Sequence, residues 1–340
     1  MSSVQEIVDD VRKRGDAALH DWAQRLDEAL FQRAVPSGAL PVDAVLAAAD
    51  AVRRWHAAQR PRDIDCEVLP GVRLQRRWVP LAAVGIYVPR GLVSSLIMTA
   101  VPAQVAGVER IVVCTPQRGA GLVAATAELL GVHEVWALGG PPAIAAFAYG
   151  TESIARVDKI VGPGSGYVNE AKLIVARDVA IDLPAGPSEV VVVSGRDADP
   201  RLVALEMAAQ REHGPDSVAT VIEADGDLDA TLAAIDARAA EHVALLGADV
   251  EVLAERIRNA GSVFVGRNSP VPAGDYATGA NHVLPTGGWA RSVGGLGLET
   301  FLKPITVQRI TEDGLRRIRP TVEALAGIEG MTAHAAAVQR

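Results

Sequence analysis

Cysteine is scarce in this chain: Cys66 and Cys114 are its only two, and they sit in unrelated segments. Two isolated thiols exclude a disulfide framework and a cysteine-based zinc site, and they fit a reducing compartment. Basic charge is also in deficit. Lys and Arg number 33 against 41 Asp and Glu, a net charge of −8, so no basic surface argues for nucleic acid or anionic lipid. Long apolar runs are missing too, and none reaches membrane-spanning length. The N-terminal stretch MSSVQEIVDDVRKRGDAALHDWAQRL is charged and helical in period, where a secretory signal would carry an apolar core. The expectation is a soluble, cytoplasmic protein with no nucleic-acid or membrane partner. What is present is a globular composition, 49% hydrophobic and 22% charged over 340 residues, with length for two or three domains.

Residues 1–60 read as helices, with Val4, Ile7, Val8 and Val11, then Ala18, Leu19, Trp22 and Leu26, at helical spacing. From Trp78 the period changes. AAVGIYVP, ERIVVCTP, EVWAL, DKIVGPG and EVVVVSG are short β-rich runs closed by Gly or Pro, separated by Ala-rich helical stretches. That alternation predicts a parallel, doubly wound sheet, whose ligands bind at the carboxyl ends of the strands. A second α/β region follows: a helix PRLVALEMAAQREHG, a strand SVATVIEA, a helix DLDATLAAIDARAAEH, a helix VEVLAERIRNAG and a strand SVFVG. Residues 266–298 are a long Gly-rich stretch, read as a functional loop. The tail from Leu302 predicts a strand, PITVQRI, and two helices.

Residues able to do chemistry concentrate in the second half. Gln210 and His213 lie three apart on a helix, a spacing that can place two ligands on one ion. From spacing alone the preferred reading is a helix end whose last turn carries a histidine at the negative pole. Asp275 and His282 sit in the long loop, and His334 on the terminal helix. Nitrogen and oxygen donors of this kind, without thiolate, suit Zn²⁺ or a similar divalent ion. Glu241-His242 is a candidate acid–base pair, since histidine can take a hydroxyl proton near neutral pH. Read as adjacent residues of a helix, the two serve one site only near a helix end. The loop GPGSG (Gly162, Gly164, Gly166) follows a strand and precedes a helix, a place for phosphate or nucleotide or simply a tight turn. It does not match the spaced dinucleotide fingerprint.

Together the phrases are more specific than any one of them. GIYVPRG, VPAQVAGVERIVVCTP, IAAFAYGTES, VDKIVGPGSGYVNEAK, IDLPAGPSEV, QREHGPDS, GDYATGANHVLPT and EGMTAH run in order from Gly85 to His334. The chain closely resembles histidinol dehydrogenases over nearly its whole length. The resemblance implies one Zn²⁺ per subunit and oxidation of L-histidinol through the aldehyde to L-histidine with two NAD⁺. It assigns zinc to Gln210, His213, Asp275 and His334, the last donated across a homodimer interface. It makes His242 the general base and Glu241 the group that activates water. Ser188, His282 and Glu329 fall on substrate contacts, as do the metal ligands and Glu241. Tyr87, Pro142 and Ser165 fall on cofactor contacts.

The chain also departs from that pattern. Pro142 stands where the family has a Gln, Ser165 where it has an Asn, Arg90 where a loop has its second glycine, and Ala240 where a Pro precedes the catalytic pair. Several dozen residues are missing between His213 and Glu241, and so is the N-terminal arm. The expected fold is α/β: two doubly wound Rossmann-like parallel-sheet domains with a small helical C-terminal extension. Residues 1–81 with 192–296 are expected to form the first, discontinuous domain, 82–191 the inserted cofactor-side domain, and 297–340 a strand and helices that complete the partner subunit's site. The alternatives are a paralogue oxidising another small polar or amino alcohol, and a catalytically silent zinc-binding protein.

Overall fold

The computed structural model describes residues 3–27, 30–183 and 186–339. The β-rich runs do form parallel sheets. In the first sheet the strands lie in the order Gln32–Arg33, Glu134–Ala137, Arg110–Thr115, Ala83–Tyr87, Lys159–Val161 and Ala180–Ile181. All neighbours are parallel except the short edge strand Gln32–Arg33. Val84, Ile86, Val112, Val113, Ile160 and Val161 are fully buried, as expected of strands covered on both faces. The N-terminal helices Val4–Arg14 and Asp16–Asp27 share this core, Val8, Val11 and Leu19 packing with Ile144 and Phe147 of the helix Gly140–Tyr149. That helix lies so close to the sheet that a Cβ on Gly85 would come within 2.6 Å of the Phe147 ring.

The second sheet is wholly parallel, in the order Val218–Glu223, Glu189–Ser194, His242–Leu246 and Ser262–Val265. Its central valines Val190 to Val193 are buried between two apolar clusters, one on each face. Both sheets belong to one compact unit, Met1–Gln59 with Leu81–Phe301. Among the described residues no helix is long and apolar enough to cross a membrane.

The other unit joins Arg60–Pro80 to Leu302–Arg340. It contains an antiparallel hairpin, Ile64–Leu69 with Val72–Pro80, to which Leu302–Ile310 adds a third strand. Thr311 caps the helix Glu312–Ile328 through its hydroxyl, which accepts the Gly314 N–H. The same turn meets the hairpin, since the Thr311 N–H donates to Gly71 O. The hairpin was not anticipated, because Ile64–Leu69 is exposed along its whole length and carries no buried alternation. Two further local expectations change. Of VEVLAERIRNAG only Val250 and Glu251 are helical, closing the four-residue helix Ala248–Glu251, and the long loop contains a short helix, Val271–Tyr276.

Candidate active site

The polar cluster forms at the amino ends of the second sheet's strands, opposite to the edge where open α/β sheets usually take ligands. Ser188 and Glu189 open one central strand, His242 opens its neighbour, and His242 pairs with Val190 in register. Glu241 therefore lies beside Ser188 and Glu189. Its Oε2 accepts the Ser188 hydroxyl at 2.6 Å and the Glu189 N–H at 2.9 Å. The Glu-His pair is thus not on a helix, as its surroundings suggested. The helix ends at Arg238, and Ala239 turns the chain with φ 50°. Glu241 and His242 then enter the strand His242–Leu246.

The helix Pro200–Arg211 follows the strand Glu189–Ser194 and runs back along it, which returns its carboxyl end to the same edge. Gln210 is buried there and donates from Nε2 to Ser188 Oγ at 3.0 Å. His213 is exposed just beyond the helix end. Asp275, buried on the helix Val271–Tyr276, places Oδ1 3.9 Å from His242 Nε2. The His282 Nδ1 lies 3.0 Å from the Asp275 carbonyl and its Nε2 3.4 Å from Ser95 Oγ. Ser95 and Glu206 are neighbours that sequence reasoning passed over. Glu206 accepts the Val271 N–H at 3.2 Å, so it holds the helix that carries Asp275. Its place one turn before Gln210 was the available signal.

Burial sets the protonation states. It pushes the Glu241 carboxyl up to about 7, against the hydrogen bonds from Ser188 and Glu189. It pushes the His242 imidazole down to about 4, with the Glu189 backbone pulling the other way. Nδ1 of His242 is buried without an aligned hydrogen bond, and it lies 3.6 Å from Glu241 Oε2. Burial also lowers His282 to about 4 and raises Asp275, while the His213 charge lowers Asp275. A neutral imidazole beside a protonatable carboxyl is an arrangement suited to moving protons near neutral pH.

The donor set fits a divalent cation. Gln210 spends its Nε2 on Ser188, leaving its carbonyl oxygen as a donor atom. Asp275 offers a buried carboxylate whose nearest basic nitrogen is beyond hydrogen-bond reach. His213 acts electrostatically on Asp275, His242 and His282. Among the described residues no three of His, Cys, Asp and Glu gather closely enough to form a complete metal shell. His334 and Glu329 lie in the other unit, both exposed, on and just before the helix Thr332–Ala337.

The sequence-predicted cofactor residues line the carboxyl edge of the first sheet. Tyr87 ends its strand, and its hydroxyl accepts the Gly140 N–H at 3.1 Å. Pro142 is buried at the start of the next helix, and exposed Ser165 precedes the helix Gly166–Val175 without capping it. A cavity of about 420 Å³, lined in part by Arg33, Ser37 and Gln117, opens on the same edge. Pro184 and Ala185 of the IDLPAGPSEV motif lie outside the described residues.

Comparison with known proteins gives one family. A profile described as histidinol dehydrogenase matches residues 1–229 and 221–340. The chain is 39% identical to the histidinol dehydrogenase of Methanosarcina barkeri over 394 aligned positions, covering 99% of this chain and 90% of that protein. The structure of histidinol dehydrogenase from Elizabethkingia anophelis superposes with a TM-score of 0.92 at 33% identity, over 98% of this chain and 90% of that one. A succinate-semialdehyde dehydrogenase from Burkholderia pseudomallei shares the fold, with a TM-score of 0.55 at 13% identity, over 92% of this chain and 86% of that one. The two profile segments meet between His213 and Glu241. The 394 aligned positions exceed the 340 residues of this chain. The first fact accords with an internal loss at that point, and the second with residues present in the relative and absent here.

Proposed function

The chain belongs to the histidinol dehydrogenase family, and we propose that it oxidises L-histidinol through L-histidinal to L-histidine, in the cytoplasm, with zinc and NAD⁺. The observation that carries this reading is the joining of Ser188, Gln210, Glu241, His242, Asp275 and His282 in one cluster, with Gln210, Glu241, His242 and Asp275 buried. When bound, zinc would anchor the amine and imidazole of the substrate, and NAD⁺ would accept hydride.

The chain's own residues do the rest. Gln210, His213 and Asp275 of one subunit, with His334 of a second, form the proposed metal shell, and each also faces the substrate. His242, neutral at physiological pH, takes the hydroxyl proton as hydride leaves the carbinol carbon. Glu241, poised near 7, takes a proton from water at the aldehyde stage. Ser188 holds Glu241 in place, and His282 and Glu329 are substrate contacts. Tyr87, Pro142 and Ser165 border the cofactor, with the Pro142 ring lacking any donor to offer it.

The proposed assembly is a homodimer with shared sites. Unit Arg60–Pro80 with Leu302–Arg340 leaves Ile64, Val68, Leu69, Ile310, Leu325 and Ile328 exposed, apolar side chains that a second subunit could cover. The test is spectrophotometric. Zinc-loaded protein should reduce NAD⁺ with histidinol, lose that activity on chelation and regain it with added zinc. Absence of turnover by protein of verified zinc content would remove histidinol as the substrate.

A further inference from the structure

Lys172 is a fully buried lysine that the proposed chemistry does not use. It lies on the helix Gly166–Val175, forms an ion pair with Asp182, and both side chains are almost wholly inaccessible. Its ammonium donates to an Asp182 carboxylate oxygen, to Gly162 O at 3.1 Å and to Leu183 O at 3.4 Å. All three N–H donors are thereby spent. Asp182 in turn accepts the Gly162 N–H at 2.7 Å and the Leu183 N–H at 2.7 Å. Among the described residues, the hydrogen bonds these two side chains make beyond each other go to the main chain of Gly162 and Leu183.

Those two points belong to different halves of the proposed site. Gly162 opens the GPGSG loop, with φ +108°, and a Cβ there would come within 2.2 Å of Tyr87 O. The loop is therefore pressed against the residue whose hydroxyl holds Gly140. Leu183 begins the crossover from the first sheet to the second, and the chain reaches Ser188 five residues later. Ser188 binds both Glu241 and Gln210. Five residues span at most roughly 17 Å, so Ser188 stays within that distance of the main-chain point the pair holds.

We propose that the buried Lys172–Asp182 pair is a positioning device that fixes the cofactor edge relative to the Ser188–Glu241–Gln210 centre, and so sets the geometry of hydride transfer. Stability alone is a poor reason to keep such a pair, because well-packed neutral replacements are often equally stable. The proposal rests on the dehydrogenase reading above, and its test includes an arm independent of turnover.

The double variant Lys172→Met/Asp182→Asn removes both charges together. Amide hydrogen exchange should accelerate in the stretches 159–166 and 186–190, with no change in the N-terminal helices. Zinc-dependent binding of histidinol should stay within about twofold. The kcat should fall roughly 10- to 100-fold, the cost of a misplaced reacting pair, and the deuterium isotope effect with carbinol-deuterated histidinol should rise. Lys172→Gln, which keeps a neutral donor, should show the same pattern more weakly. It replaces the double variant if that one does not fold. Unchanged exchange in both stretches, or losses of histidinol binding and kcat by the same factor, would overturn the proposal. If wild-type protein fails to oxidise histidinol, the functional reading falls, while the exchange result still decides whether the pair tethers the two loops.

Discussion

The two sheets present their polar edges in different currencies. At the amino edge of the second sheet the groups are side chains, partly or wholly buried and largely bound to one another: Ser188 to Glu241 and Gln210 to Ser188, with His282 on the Asp275 main-chain carbonyl. At the carboxyl edge of the first sheet the contacts are largely main chain, with Tyr87 on Gly140 and the Lys172–Asp182 pair on Gly162 and Leu183. A side-chain site depends on residue identity, whereas a main-chain site depends on loop shape. On that account the chain can keep the Glu241–His242 pair while Pro142 and Ser165 stand where the resemblance leads one to expect amides on the other edge.

That contrast can be broken most severely at His242. Replacing it with Asn should lower kcat by roughly 10²- to 10⁴-fold, the range for loss of a general base, with little change in KM, as steady-state kinetics would show. An unaltered kcat would move the base elsewhere. Sharing of the site between subunits comes next. His334→Ala and His242→Asn proteins should each be nearly inactive, yet randomly mixed dimers should recover roughly a quarter of wild-type activity, because one pairing leaves an intact site. No recovery after verified subunit exchange would place both residues in one subunit's site.

Glu241 provides an effect on stability with a definite sign. Its carboxyl titrates near 4.5 when unfolded and about 7 when folded, so the folded state holds the proton longer. Metal-free protein should therefore lose stability as pH rises between those values, the full cost being present above about 7. Glu241→Gln removes that cost. Denaturant melts should show the variant more stable than wild type by about 3 kcal/mol at pH 8, with the advantage gone at pH 4. An advantage independent of pH would mean the carboxyl is not held in its protonated form. The smallest effect belongs to the cofactor edge. Pro142→Gln restores a side chain able to hydrogen-bond and should tighten NAD⁺ binding about 2- to 10-fold by calorimetry, leaving zinc-dependent histidinol binding unchanged.

The same contrast explains what could be read from the chain. The strands of both sheets announced themselves as buried valine and isoleucine runs, and the reactive residues by their chemical type. The setting of Glu241-His242 is hidden in the sequence because an Ala-rich helix runs straight into it, and the break at Ala239 uses a left-handed residue that is not glycine. The hairpin Ile64–Leu69/Val72–Pro80 escaped because an exposed strand has no buried face to imprint an alternation. Ser95 sits in a stretch that reads simply as a buried helix start, and its contact with His282 spans 187 residues of sequence. Lys172 looks like a solvated helix residue until Asp182 is seen beside it.

The most direct measurement is the stoichiometry of a complete reaction. Zinc-loaded protein given a limiting amount of histidinol and excess NAD⁺ should form two NADH for each histidinol consumed, with histidine as the sole imidazole product. One NADH with released aldehyde, or none at all, would contradict the assignment of the Glu241–His242 centre to both oxidation steps.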